Sequence, residues 1–363
     1  MPDIDDATLG SLLITEFDGL ALSDDLRTLL AEGLVSGVLL FARNIASRAQ
    51  TQALTAAICM AGAPNRPAPL IAIDHEGGPV NRLRGVLGER PAPTELGARA
   101  SRKHAAGGSI QAFADIYATG AQAADDLATL GITLNFAPTV DLVDDASGEA
   151  RNPALKQRTF GADPLLVTDC ARAYLTGLQA DGWVIGCLKH FPGLGATDRD
   201  PHQRLPTLRR TQAEIMRDEL APYRTLIAGR QALHHLDGQP MEEQPLVACA
   251  MVTHLLAPAL DPDAVATFSP SIVSGLLRDE LAFSGVVVSD SLRMGAVARQ
   301  TPLPEACVLA AQAGCDLLLG PRTPTEARAC HAALRQALSE GRLDAEQVAA
   351  SARRICALKA RLA

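Results

Sequence analysis

The chain has 363 residues, of which 47% are apolar and 20% charged, so it can bury a large core and is not a disordered protein. A net charge of −8 argues against nucleic acid or an anionic membrane as partner, and no window approaches the roughly 18 uninterrupted apolar residues of a membrane-spanning helix. The acidic start, Met1-Pro2-Asp3-Ile4-Asp5-Asp6, lacks the basic and apolar regions of a signal peptide, so a cytoplasmic enzyme acting on a small ligand is expected.

In chain order, apolar runs predict strands at Gly37–Phe41, Pro69–Ile73, Thr133–Ala137, Val184–Leu188, Val247–Val252, Gly285–Ser289 and Cys315–Leu319. Between them, Ala112–Leu130, Pro164–Asp181 and Gln212–Ala228 are Ala/Leu-rich and spaced for amphipathic helices; Gly131 and Gly182 supply two of their stops. Continuous apolar strands alternating with helices mean a parallel sheet covered by helices. Seven or eight such units predict an α/β fold, a single (β/α)8 TIM-type barrel in which one strand is allowed to be irregular. No linker divides the chain, so residues 1–363 are read as one domain. Arg66–Pro69, Gly85–Pro93 and His234–Gln244 read as loops, and Pro324–Ala363 as helices closing the barrel. The eight cysteines are scattered, with no CxxC pair, and read as buried reduced thiols.

The chemistry is concentrated where the apolar runs end. Asp74, His75 and Glu76 follow the second strand, Lys189 and His190 the fourth, His254 the fifth and Asp290 the sixth. In a parallel barrel these ends share the C-terminal rim, where catalytic groups sit. The stretch from Lys189 to His202 crosses a Pro/Gly-rich turn and finishes with Asp200 two residues before His202. An Asp beside a His holds the ring in one tautomer and makes a proton shuttle usable near neutral pH. There is no phosphate loop, no dinucleotide fingerprint and no HExxH or Cys/His ligand cluster, so neither a cofactor nor a metal is expected. A carboxylate nucleophile working with a proton shuttle fits glycoside hydrolysis best.

Three motifs, Ile73-Asp74-His75-Glu76-Gly77-Gly78, Lys189-His190-Phe191-Pro192-Gly193 and Val288-Ser289-Asp290-Ser291-Leu292-Arg293-Met294, together resemble glycoside hydrolase family 3. Supporting pieces are Gly37–Asn44, Asn135–Asp141 and Arg158–Gly161, in the family's order. Within it the chain looks most like the single-domain bacterial β-N-acetylglucosaminidases that recycle cell-wall fragments. The resemblance implies Asp290 as nucleophile, forming a covalent glycosyl-enzyme with retention of configuration, and His202 with Asp200 as general acid/base. It implies Asp74, Arg82, Arg158, Lys189 and His190 as the groups gripping the terminal sugar, with His254 as a supporting residue. The implied partner is a small N-acetylglucosamine-containing carbohydrate, bound by a monomer.

The sequence departs from the family pattern at four peripheral positions. Leu194 replaces a His, Pro201 stands between Asp200 and His202, Pro79 follows the Gly pair, and His75 stands where Gln is common. Proline removes one backbone N–H and biases Asp200 toward extended geometry. Another family 3 glycosidase, a phosphorylase using phosphate as acceptor, and a catalytically silent sugar-binding protein remain alternative readings at this point.

Overall fold

The computed structural model describes residues 4–105, 109–143, 151–231 and 243–362. Its centre is an eight-stranded parallel sheet: β1 (Leu13–Thr15), β2 (Gly37–Leu40), β3 (Leu70–Ile73), β4 (Leu134–Asn135), β5 (Ile185–Phe191), β6 (Cys249–Val252), β7 (Val286–Ser289) and β8 (Leu318–Leu319). Consecutive strands from β1 to β7 pair in parallel, and β1 pairs with β8. A parallel bridge between Val288 and Leu317 sits at the remaining seam. This is the expected (β/α)8 barrel, nearly closed. Every residue of the eight strands is buried, which is why they read as continuous apolar runs rather than alternating ones.

Helices begin where the sequence offers caps. Ser23, Ser47, Asp163, Thr323 and Asp344 each accept a backbone N–H of the following first turn, and Pro164 and Pro324 occupy first-turn positions where no N–H is needed. The helices Ser109–Thr129 and Pro164–Leu178 meet through a reciprocal glycine contact. A Cβ on Gly120 would run into the carbonyl of Tyr174, and one on Gly177 into the carbonyl of Tyr117. All eight cysteines are free thiols; six are buried, while Cys59 and Cys356 are exposed.

The structure corrects the sequence reading in four places. A first strand, Leu13–Thr15, has only three residues and falls below what an apolar-run pattern resolves. The fourth predicted strand does not stop at Leu188 but runs through Lys189 and His190 to Phe191. β4 and β8 are two residues each, shorter than their apolar runs. The helix predicted at Gln212–Ala228 is broken into Gln212–Glu214, a π-helical segment Ile215–Glu219 and Ala221–Ile227. Pro222 lacks the N–H a continuous α-ladder would need, which accounts for the break. Of the loop read at His234–Gln244, residues 234–242 lie outside the described residues; Gln244–Pro245 pairs with Arg230–Gln231.

Candidate active site

The C-terminal ends of the strands open into a cavity of about 710 Å³. Asp74, Arg82, Arg158, Lys189, His190, Asp200, His202 and Asp290 all line it; of the site residues expected from sequence, His254 alone does not.

Asp290 follows β7 directly, its backbone N–H bonded to the carbonyl of Val252. Both carboxylate oxygens are held: the Thr253 hydroxyl donates to Oδ2 at 2.9 Å and the Ser291 N–H to Oδ1 at 2.8 Å. Burial pushes the carboxyl up, but the imidazoles of His254, His190 and His202 outweigh it and leave the group below the ordinary Asp value. Asp290 is therefore an ionised carboxylate with a fixed orientation at neutral pH.

His254 is fully buried behind this carboxylate. Its Nε2 lies 2.9 Å from the carbonyl of Ser291 and its Nδ1 2.8 Å from the Thr267 hydroxyl. It braces the Asp290–Ser291 turn rather than facing the cavity. Burial also holds its pKa below the ordinary imidazole value.

The polar floor is an ion network centred on Glu76, which the sequence reading left without a role. Arg158 donates from Nε and Nη2 to the two Glu76 oxygens at 2.9 and 2.8 Å, and Lys189 Nζ lies 2.5 Å from Glu76 and 2.8 Å from Asp74. Burial alone would raise the Glu76 carboxyl; the two cations hold it far below the ordinary carboxylate range. Burial likewise opposes the charge on Lys189, and Asp74 and Glu76 more than restore it. Glu76, Arg158 and Lys189 stay charged because they face groups of opposite charge.

Lys189 and His190 both reach this floor although they are consecutive in a strand. Opposite them the register shifts: Leu188 pairs with Ala250 and Phe191 with Val252, so the extra residue falls on β5. A bulge of this kind re-aims side chains at the rim of a sheet. The peptide between Lys189 and His190 is cis. His190 Nδ1 lies 2.6 Å from Asp141, and its Nε2 is 3.3 Å from Arg158 Nη2. A guanidinium only donates, so Nε2 accepts and the Nδ1–H faces Asp141. The other Asp141 oxygen accepts the backbone N–H of Leu194 at 2.6 Å. Leu194 thus supports the site through its main chain, which a change of side chain does not remove.

Arg82 is half-buried. Its guanidinium carbon lies 5.6 Å from the centre of the Phe41 ring, and its Nε is buried with no hydrogen-bond partner among the described residues. Arg82 lines the cavity, where its terminal N–H groups can reach a ligand.

Asp200 and His202 sit on the loop after β5. His202 is 63% exposed while Asp200 is largely covered, and one oxygen, Asp200 Oδ1, is 2.7 Å from His202 Nδ1 and 2.8 Å from the His202 backbone N. Pro201 leaves this dyad intact because neither bond uses the N–H it lacks. The loop is tied to the segment after Asp290: Gly295 N–H donates to the His202 carbonyl and Ala296 N–H to that of Pro201. At Gly295 a Cβ would stand 2.8 Å from the carbonyl oxygens of both His202 and Gln203, so that approach needs glycine.

Sequence reasoning missed Glu76, Asp141 and Thr253 as contributors. Glu76 and Asp141 lie inside motifs already singled out, so their type was visible but their partners were not.

Comparison with known proteins bears on the family and the fold. The model of the glycosyl hydrolase family 3 N-terminal domain matches residues 6–358. The chain is 36% identical over 311 residues to a beta-hexosaminidase of Alkalilimnicola ehrlichii, covering 86% of this chain and 80% of that one. It superposes with TM-score 0.85 on the family 3 beta-N-acetylglucosaminidase of Paenibacillus sp. FPU-7, at 34% identity, covering 98% of this chain but only 62% of that longer one. A beta-N-acetylhexosaminidase from Beutenbergia cavernae superposes with TM-score 0.78 at 29% identity, covering 99% of this chain and all of that one. The chain is a glycoside hydrolase and belongs to family 3.

Proposed function

We propose that the protein is a retaining β-N-acetylglucosaminidase that removes terminal N-acetylglucosamine from cell-wall fragments. The observation that carries this reading is one cavity holding a fixed, ionised Asp290 on its floor and an Asp200-supported His202 on a neighbouring loop. The names of its relatives, beta-hexosaminidase and beta-N-acetylglucosaminidase, support the sugar.

In the first step Asp290 attacks the anomeric carbon. The bond to the leaving oxygen breaks, and that oxygen takes the Nε2 proton of His202, whose Nδ1 side is held by Asp200. Water then attacks the glycosyl-aspartate, gives its proton to His202 and frees the Asp290 carboxylate. Lys189, Asp74, His190 and Arg82 hold the terminal ring by hydrogen bonds before chemistry begins. Arg158 spends most of its donors on Glu76 and the Ala154 carbonyl, so its main service is to keep Lys189 and His190 in place.

The test is release of p-nitrophenol from the β-N-acetylglucosaminide and the β-glucoside by wild type, Asp290→Ala and His202→Ala. Turnover of the acetamido substrate alone, abolished in Asp290→Ala, is the expected result. No turnover of either by folded wild type would contradict the proposal.

A further inference from the structure

At the opposite end of the barrel, below the N-terminal ends of β1 to β3, lies a separate small pocket of about 90 Å³. It is formed between the first helical turn, the loop entering β2 and the last helix, Ala345–Ala360. Most of its wall is apolar, including Leu30, Val35, Pro69 and Ile355.

Its polar groups are unlike its walls. The Ser36 hydroxyl is buried and has no hydrogen-bond partner among the described residues. Lys359 is largely buried beside it, and its Nζ donates to the Ser36 carbonyl at 2.9 Å, leaving two N–H donors. No carboxylate is recorded within ion-pair distance of Lys359 among the described residues. Burial pushes its amine down to about 8; the nearby Arg66 adds to this, and Cys356 opposes it. Arg66 itself is bound by Asp5, at 3.0 Å, a residue that does not line the pocket. One largely buried ammonium with no carboxylate partner among the described residues and one orphaned hydroxyl therefore face a mainly apolar space, with the exposed, Asp5-bound Arg66 at its rim; an unpaired buried charge is costly.

We propose that this pocket is a second ligand site, which takes a small aliphatic carboxylate. The carboxylate would accept from Lys359 and the Ser36 hydroxyl, and its short alkyl part would lie against Leu30, Val35 and Ile355. Size decides the class. The space is about 90 Å³, against about 710 Å³ for the cavity at the other end of the barrel, which suits a ligand of a few heavy atoms. A bare oxyanion would leave the apolar walls without a partner.

The test is calorimetric titration of the full-length protein with propionate, with its neutral isostere propionamide and with inorganic phosphate at matched ionic strength. Saturable one-to-one binding of propionate alone is expected. It should persist in Asp290→Ala, which separates this site from the catalytic cavity, and weaken about tenfold or more in Lys359→Met, which removes a charged donor. Should Lys359→Met fail to fold, Ala352→Phe fills the pocket from the helix side and should abolish binding. Absence of propionate binding, equal binding of propionamide or phosphate, or undiminished binding in either pocket variant would overturn the proposal.

Discussion

The hydroxyl of Thr253 donates to one oxygen of Asp290 at 2.9 Å while the other oxygen takes the Ser291 N–H, so the carboxylate cannot rotate freely. Two strands meet in this contact, since Thr253 follows β6 and Asp290 follows β7. Removing the hydroxyl takes away a bond to a charged group. Thr253→Val should lower kcat about tenfold or more, the equivalent of about 1.4 kcal/mol. A carboxylate that loses a donor also titrates at higher pH. The acidic limb of the kcat/KM profile should therefore move upward in the variant, and an unmoved limb would show that the hydroxyl does not act on Asp290.

Gly295 tests whether the loop carrying His202 must lie where it does. Gly295→Ala places a methyl 2.8 Å from two carbonyl oxygens of that loop. A kcat reduced about tenfold with little change in melting temperature is expected, because a small displacement of a proton donor costs rate rather than fold. Loss of stability in parallel with rate would point to packing instead.

Glu76 bears on stability as well as on the site. Glu76→Gln leaves the buried Arg158 without its carboxylate partner and Lys189 with Asp74 alone, and should destabilise by about 3–5 kcal/mol. The sign with pH follows from the direction of its shift. Its folded pKa lies below the unfolded value, so its contribution is complete above the ordinary carboxylate range and is lost as pH falls through the folded value. Denaturant melts of both proteins should differ most at neutral pH and converge in strong acid.

His75 should act in the same sense, losing stability as pH falls, but in a higher pH window. It is buried, neither ring nitrogen has a hydrogen-bond partner among the described residues, and burial pushes its pKa down to about 4. Between about 6.5 and 4 the unfolded chain takes up a proton that the folded chain refuses. Stability should fall by up to about 3 kcal/mol across that window. His75→Gln should flatten this part of the curve; an unchanged slope would assign the loss to other groups.

The barrel was legible because its strands are buried on both faces and alternate with long amphipathic helices. The rim residues were legible for the same reason, since a charge at the end of an apolar run marks the place where the strand leaves the core. What stayed hidden depends on contacts distant in sequence. Glu76 meets Arg158 across 82 positions, and Asp141 meets His190 across 49, so nothing local shows which cation or imidazole each serves. The extension of β5 through Lys189 and His190 was hidden because a charged residue in a strand reads as its end, although Asp74 and Glu76 neutralise Lys189 inside it. His254 was expected only as a supporting residue; its bonds to Thr267 and Ser291, both invisible in the sequence, place it behind the Asp290–Ser291 turn and outside the cavity lining.

The central claim is that Asp290 forms a covalent bond to the sugar. The most direct measurement is peptide mapping by mass spectrometry after incubation with a slowly turned over, fluorinated N-acetylglucosaminyl donor. The account predicts one added glycosyl mass on the peptide containing Asp290, absent in Asp290→Ala. An adduct on another residue, or turnover that never passes through an adduct, would contradict it.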